Sequence, residues 1–300
     1  MSTASVTSTE GVRLSYDQAG RGPGVVLVHG GMQTSRNFER LASALSGSYC
    51  VVRYDRRGRR ENANGGTDGA PDRLARETAD LIAVSRATAA SYVFGLSSGA
   101  ILAMAAAKET SAIEKLVLFE PPLALGGVDP GEFGTEFLRA LEQQRFGKAM
   151  ALLVRSTGDR EVLSTLPAPL LTLLFGLAVR SGAPAPNGER LRDLLLTMQA
   201  DVAIQRAAAA VLAPLSALGT PTLLVGGSRS HPKLTFVLDR LERELPVTRR
   251  ALIHGAGHIA ADNDGKPEEV ARVIDAFLRS SASPSPAGVA ATRTERGGWP

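Results

Sequence analysis

The residues best able to do chemistry in this chain gather around one serine. Gly95-Leu96-Ser97-Ser98-Gly99 follows the β-rich run Tyr92-Val93-Phe94 and leads into Ala100 to Ala107, a strong helix former. A serine between strand and helix on so sharp a turn is held in strained backbone geometry with its hydroxyl exposed. The glycines let strand and helix approach without Cβ clashes. The helix start turns its free N–H groups and positive dipole end towards any oxyanion forming nearby. With 31 glycines in 300 residues the five-letter pattern alone is weak, and the strand–turn–helix context gives it weight. Ser97 is therefore the candidate nucleophile.

A serine hydroxyl needs a base at neutral pH. The chain has four histidines. His258, in Gly255-Ala256-Gly257-His258 between the last strand-like run and the last helix, is the favoured base, because that loop can lower an imidazole onto the serine. His231, just after another strand end, is the alternative. His29 reads as a residue that orders its own glycine loop, and His254 ends a strand. A carboxylate should fix the imidazole tautomer and stabilise the imidazolium. The loop Gly226-Gly227-Ser228-Arg229-Ser230-His231-Pro232 contains none, and Asp239 falls inside a predicted helix. Glu120, directly after Leu116–Phe119 and stiffened by Pro121 and Pro122, is the candidate. A salt-bridged strand-end glutamate and a Ser97–His258 dyad without an acid stay open. The oxyanion donors are expected to be the N–H of Ser98 and one from the loop after His29-Gly30, with Gly31 ahead of Met32. Gly30, Leu96, Pro121 and His231 are expected to border the substrate.

The elements that must position these residues are strands separated by helices. Val12–Tyr16 alternates, while Val25–Val28, Cys50–Tyr54, Ser91–Phe94, Leu116–Phe119, Thr222–Val225 and Arg250–Ile253 read as strands, several of them apolar on both faces as in a parallel sheet. Helices are predicted over Ser35–Leu45 with Ser35 as cap, Asp72–Ala87, Leu234–Leu245 and Pro267–Arg279. From 122 to 218 the strand rhythm stops, and helices over 136–144, 146–155, 166–179 and 189–212 take its place. That pattern predicts an α/β core (1–121 and 219–280) interrupted by a helical cap (122–218). The Leu191, Leu194, Leu195 and Met198 stripe is read as cap packing. Residues 281–300 are expected to be a disordered tail. In a parallel sheet ligands bind at the carboxyl ends of the strands. His29, Asp55, Ser97, Glu120 and His258 all fall at or just after such ends.

Composition excludes several classes. The net charge is +4 with 44% hydrophobic residues. The densest basic cluster, Arg53, Arg56, Arg57, Arg59 and Arg60, comes with no nucleic-acid module, so no nucleic-acid partner is expected. No apolar run is long enough to span a membrane. Met1 to Glu10 lacks the basic and apolar regions of a secretion signal, and Cys50 stands alone, so a reduced cytoplasm is the expected setting. Cys50 itself reads as a small buried residue at a strand start. No metal-ligand spacing or nucleotide-binding glycine loop appears, so neither cofactor nor metal is expected.

Taken in order, His29-Gly30-Gly31, Asp55-Arg56-Arg57-Gly58, Gly95-Leu96-Ser97-Ser98-Gly99 and Gly255-Ala256-Gly257-His258 make the chain resemble the α/β-hydrolase superfamily over residues 10 to 280. The resemblance implies an α/β-hydrolase fold: a mostly parallel eight-stranded sheet, helices on both faces and an inserted helical cap. It implies Ser97 as nucleophile, His258 as base, and Gly31 and Ser98 at the oxyanion. Two departures stand out: no acid follows Thr222–Val225, and Arg60-Glu61-Asn62-Ala63 replaces a tight Gly-Asp-Ser loop. Some members carry the acid one strand earlier, where Glu120 stands. The expected activity is cofactor-free serine hydrolysis of a moderately apolar ester, lactone or thioester, with a cap supplying Phe175 and Met198. The partner is a small-molecule substrate, and a homodimer is a possible assembly. A non-hydrolytic catalyst (elimination, cyclisation or C–C cleavage) and a small-molecule-binding protein on the same fold are the alternatives.

Overall fold

The structure, a computed structural model, describes residues 2–60, 62, 66, 69–157 and 166–280. The tail expected from residue 281 lies outside the described residues, as do parts of the Arg60–Ala63 stretch. A single sheet is built from β1 (Ser2–Thr7), β2 (Arg13–Ala19), β3 (Gly24–Val28), β4 (Cys50–Tyr54), β5 (Ala90–Leu96), β6 (Lys115–Phe119), β7 (Thr222–Gly227) and β8 (Thr248–Ile253). Its order is β1-β2-β4-β3-β5-β6-β7-β8. The strands from β3 to β8 run parallel, and β1 and β2 form an antiparallel edge. Sequence pattern marks every strand except β1. Ser2–Thr7 contributes only Val6 towards the core and is otherwise exposed, so it leaves no hydrophobic alternation to read.

The helices are α1 (Glu39–Leu45), α2 (Arg73–Ala87), α3 (Ser98–Glu109), α4 (Gly134–Glu142), α5 (Phe146–Thr157), α6 (Ala168–Arg180), α7 (Leu191–Leu212), α8 (Pro232–Glu244) and α9 (Pro267–Arg279). α1 and α9 cover one face, where Phe38, Leu41, Ile274 and Phe277 meet Leu27, Phe94 and Phe119. α2, α3 and α8 cover the other, where Leu81, Leu102 and Leu238 meet Val26, Val28 and Leu118. Each such fully buried side chain favours the folded state by about 1.5–3 kcal/mol over exposure. α3 is apolar all round and buried from Ser98 to Ala106, as a helix sandwiched between other elements must be. The helix predicted from Ser35 opens instead as a 3₁₀ turn over Ser35–Phe38, where the Asn37 side chain accepts the Thr34 N–H at 2.9 Å.

α4 to α7 form the insertion between β6 and β7. They share a core of Phe137, Ala149, Met150, Leu195, Met198 and Val202. α7 has 22 residues, about 33 Å at 1.5 Å per residue. Its first half closes the insertion's core, while Ile204, Ala208 and Leu212 are buried in the core beside the sheet. One helix thus fixes the insertion to the sheet. Among the described residues, no helix is long and apolar enough to cross a membrane.

Candidate active site

Strand register gathers the chemistry at one rim. Val28 pairs with Gly95, Leu96 with Phe119, and Phe119 with Val225. Residues just beyond these positions therefore emerge side by side. Ser97 has φ +56° and ψ −124°, and its N–H donates to Phe119 O at 2.9 Å. The turn depends on its glycines: a Cβ on Gly95 would lie 2.6 Å from Ala100 Cα, and one on Gly99 2.7 Å from His29 O. Met32 and Glu120 also have positive φ, +59° and +46°. Non-glycine residues hold such conformations at a cost of order 1–3 kcal/mol each, and they cluster where function requires them. Here Ser97 and Met32 line one cavity, and Glu120 stands behind its rim.

Glu120 and His258 are 138 residues apart in the chain and meet through Glu120 Oε2 and His258 Nδ1 at 2.7 Å. Glu120 Oε1 accepts from the N–H of Gly227 at 2.7 Å, so the carboxylate is held at both ends. Both side chains are buried. A carboxylate only accepts, so Nδ1 carries a proton in this contact, and in the neutral imidazole Nε2 is then the acceptor. Gly31, Met32, Leu96, Ser97, Ser98 and His258 line one cavity of about 380 Å³. The rest of the lining is mainly apolar and includes Phe133, Met150, Leu153, Leu191, Met198 and Ile259.

Behind this wall lies a buried charge network. The α7 carboxylate of Asp201 takes Arg56 Nη1 at 2.8 Å and the Ser98 hydroxyl at 2.6 Å on Oδ1, and Arg59 Nη2 at 2.7 Å on Oδ2. Arg56 Nε reaches Glu77 at 2.6 Å, and Arg73 Nε reaches the same carboxylate at 2.7 Å. Burial alone would raise the Asp201 pKa, but the Arg56 and Arg59 guanidiniums outweigh it and hold the carboxyl well below the usual range. The basic cluster of the sequence is thus an interior ion-pair system. His29 belongs to the same layer. Its Nε2 accepts the Arg56 backbone N–H at 3.2 Å, so Nδ1–H donates to Gly30 O at 2.9 Å. Burial, with Arg59 and Arg56 nearby, lowers its pKa far enough to keep it neutral.

The sequence matches the model of the Alpha/beta hydrolase family over residues 25–273. The chain belongs to that family. An uncharacterized hydrolase of Bacillus subtilis (strain 168), YraK, is 28% identical over 165 residues, which is 54% of this chain and 60% of that protein. The fold also matches an alpha/beta hydrolase from Sphaerobacter thermophilus DSM 20745, at TM-score 0.65 and 26% identity, covering 92% of this chain and 100% of that one. The enol-lactonase from Burkholderia xenovorans LB400 superposes at TM-score 0.68 with 17% identity, covering 92% and 100%. At that identity the likeness concerns the fold alone. Together the family match and the hydrolase relatives support a hydrolase role.

On this alpha/beta hydrolase frame the sequence-predicted residues separate clearly. Ser97, Ser98, His258, Gly31, Met32 and Leu96 border the cavity, and Glu120 stands behind His258. Gly30 lies beneath the rim, its N–H donating to Gln33 Oε1 at 2.8 Å. Pro121 is not among the lining residues, whereas Pro122 is. His231 does not line the cavity either: its Nδ1 accepts the Lys233 N–H at 3.1 Å and caps α8. Phe175 packs against the insertion's core rather than on the cavity wall. Asp55 is engaged by the Ser35 N–H and by Arg60, away from the histidine. Cys50 is half-buried rather than buried, beside Gln18 Nε2 at 2.8 Å. Met198 and Leu191 both pack in the insertion and face the cavity. Sequence reading missed Asp201, whose only signal is an acid among Met198, Ala200, Val202 and Ile204. It also missed Gln33 and Asp262, which are linked at 3.0 Å and brace the glycine loop against the His258 loop.

Proposed function

We propose that the protein is a cofactor-free serine hydrolase that cleaves a small, moderately apolar ester, lactone or thioester through an acyl-enzyme. The observation that carries this reading is the Glu120–His258 contact at 2.7 Å, closed beside the strained Ser97 on a shared cavity. Ser97 Oγ attacks the carbonyl carbon while His258 Nε2 takes its proton, and Glu120 stabilises the imidazolium. Negative charge on the carbonyl oxygen is met by the N–H of Ser98 and by that of Gly31 or Met32. The tetrahedral intermediate collapses, and His258 returns the proton to the departing alcohol or thiol. Water, deprotonated by the same Nε2, then attacks the acyl-enzyme and frees the acid and Ser97. Residues 122–218 act as the cap: their apolar walls and a volume of about 380 Å³ suit a substrate of modest size.

Intact mass after incubation with a fluorophosphonate, on wild type and Ser97→Ala, tests the reading. One adduct on the wild type, lost in the variant, is expected. A folded wild type that takes no adduct overturns it.

A further inference from the structure

Polar groups on the cavity wall are few, and nearly all are engaged within the protein. Gln33 accepts from Gly30 N–H and donates to Asp262. Ser98 and Asp201 hold each other and Arg56. The Ser156 hydroxyl donates to Leu153 O at 2.8 Å. Ser97 and His258 belong to the proposed chemistry. Gln205 differs: its side chain reaches the cavity, and among the described residues it makes no hydrogen bond to protein.

Its placement is nonetheless fixed. Met198, Asp201 and Gln205 follow one another along the same face of α7, and Asp201 is pinned to Ser98, Arg56 and Arg59. The Gln205 Cα is about 6 Å further along the helix axis than that of Asp201. On the other side the Pro130-Gly131 turn closes over the amide: a Cβ on Gly131 would lie 2.5 Å from Gln205 Oε1. An amide whose donor and acceptor capacity is not used within the protein, set among apolar wall, offers a hydrogen bond that a ligand group can take over from water. Charge complementarity limits the ligand. No lysine or arginine is among the described lining residues, and the carboxylate of Asp201 is already neutralised. A charged group brought here would be desolvated without a partner.

We propose that Gln205 is a specificity-determining residue that selects substrates carrying a neutral hydroxyl or carbonyl group a few bonds from the scissile carbonyl, on an otherwise apolar skeleton. This rests on the acyl-transfer reading and deepens it.

Two matched pairs test it: 4-nitrophenyl butanoate with its 3-hydroxy analogue, and 4-nitrophenyl pentanoate with its 4-oxo analogue. Comparing wild type with Gln205→Leu cancels the intrinsic reactivity of each ester. The wild type should favour at least one polar member by about fivefold to tenfold in kcat/KM relative to the variant, the range of one neutral hydrogen bond. An unchanged ratio in Gln205→Leu for both pairs overturns the proposal. If the wild type cleaves none of the four, the acyl-transfer reading fails instead. The polar subsite is then read by calorimetry, as binding of the same esters to Ser97→Ala. A preference lost in Ser97→Ala/Gln205→Leu sustains it, and equal affinities refute it.

Discussion

Replacing Glu120 by glutamine tests the proposed triad most directly, because it changes charge while sparing shape. In the wild type Oε2 meets His258 Nδ1 at 2.7 Å and Oε1 accepts the Gly227 N–H at 2.7 Å. The glutamine oxygen can keep only one of these. The Gly227 N–H is a fixed donor, so it takes the oxygen, and the amide NH₂ turns towards His258. A donor there forces the imidazole to accept at Nδ1 and to carry its proton on Nε2, the tautomer that cannot deprotonate Ser97. A second loss is electrostatic. Two unit charges about 4 Å apart at an effective dielectric of 20 attract by about 4 kcal/mol, close to 10³-fold in rate at 1.36 kcal/mol per decade. The tautomer penalty adds to this, so Glu120→Gln should lower kcat by about 10³–10⁴-fold. KM should change little, since Glu120 is not among the cavity-lining residues. Pre-steady-state release of 4-nitrophenol separates acylation from turnover, and circular dichroism confirms the fold. A folded variant within tenfold of the wild-type acylation rate would refute the role of Glu120 and leave a Ser97–His258 dyad.

Two further substitutions probe residues around the site. His231→Ala removes the cap on α8 and should cost about 1 kcal/mol, roughly 2–4 °C in Tm, while kcat/KM stays within twofold; a large activity loss would return His231 to the substrate. Asp201→Asn keeps a hydrogen-bond acceptor for Ser98 but leaves Arg56 and Arg59 under-compensated, which should cost about 3–5 kcal/mol, of order 10 °C in Tm. Because the folded-state pKa of Asp201 is depressed, its stabilisation is complete above the ordinary aspartate value of about 3.9 and fades as pH falls through the lower folded value. The Tm gap between wild type and variant should therefore hold steady from pH 8 to about 5 and narrow below about 4. A gap that widens in acid contradicts the ion-pair account.

Local pattern accounts for what could be read in advance. Ser97 and His258 sit in short glycine-rich turns whose strand and helix neighbours are adjacent in sequence, so five or six letters identify each turn. The sheet was legible because buried parallel strands are apolar on both faces. β1 was not, since an exposed edge hairpin needs no apolar face. Asp201 was illegible for a different reason. Its partners Arg56 and Arg59 lie 145 and 142 residues away, and no spacing rule connects a strand-end loop to the middle of a helix in an insertion. His231 misled because a histidine after a strand reads the same whether it meets a ligand or caps the next helix.

The Glu120–His258 contact has a structural counterpart in the glycines at the tip of β7. In the arrangement the family resemblance implied, an acid would follow β7, yet β7 ends in Gly226-Gly227. A Cβ on Gly226 would lie 3.1 Å from Glu120 Oε1 and 2.8 Å from Leu238 Cδ1. One on Gly227 would lie 2.7 Å from Gly257 O, in the loop that carries His258. Glu120 crosses from β6 over the tip of β7 and uses its N–H as a hydrogen-bond donor, so side chains at that tip and a glutamate on β6 compete for one volume. The positive φ of Glu120, +46°, is the backbone deformation that aims the longer side chain across its neighbour. A glutamate reaching across from the end of β6 and glycines at the tip of β7 therefore go together. Restoring an aspartate after β7 in a Glu120→Ala background would not by itself rebuild the contact, because the β7 tip is packed for glycine.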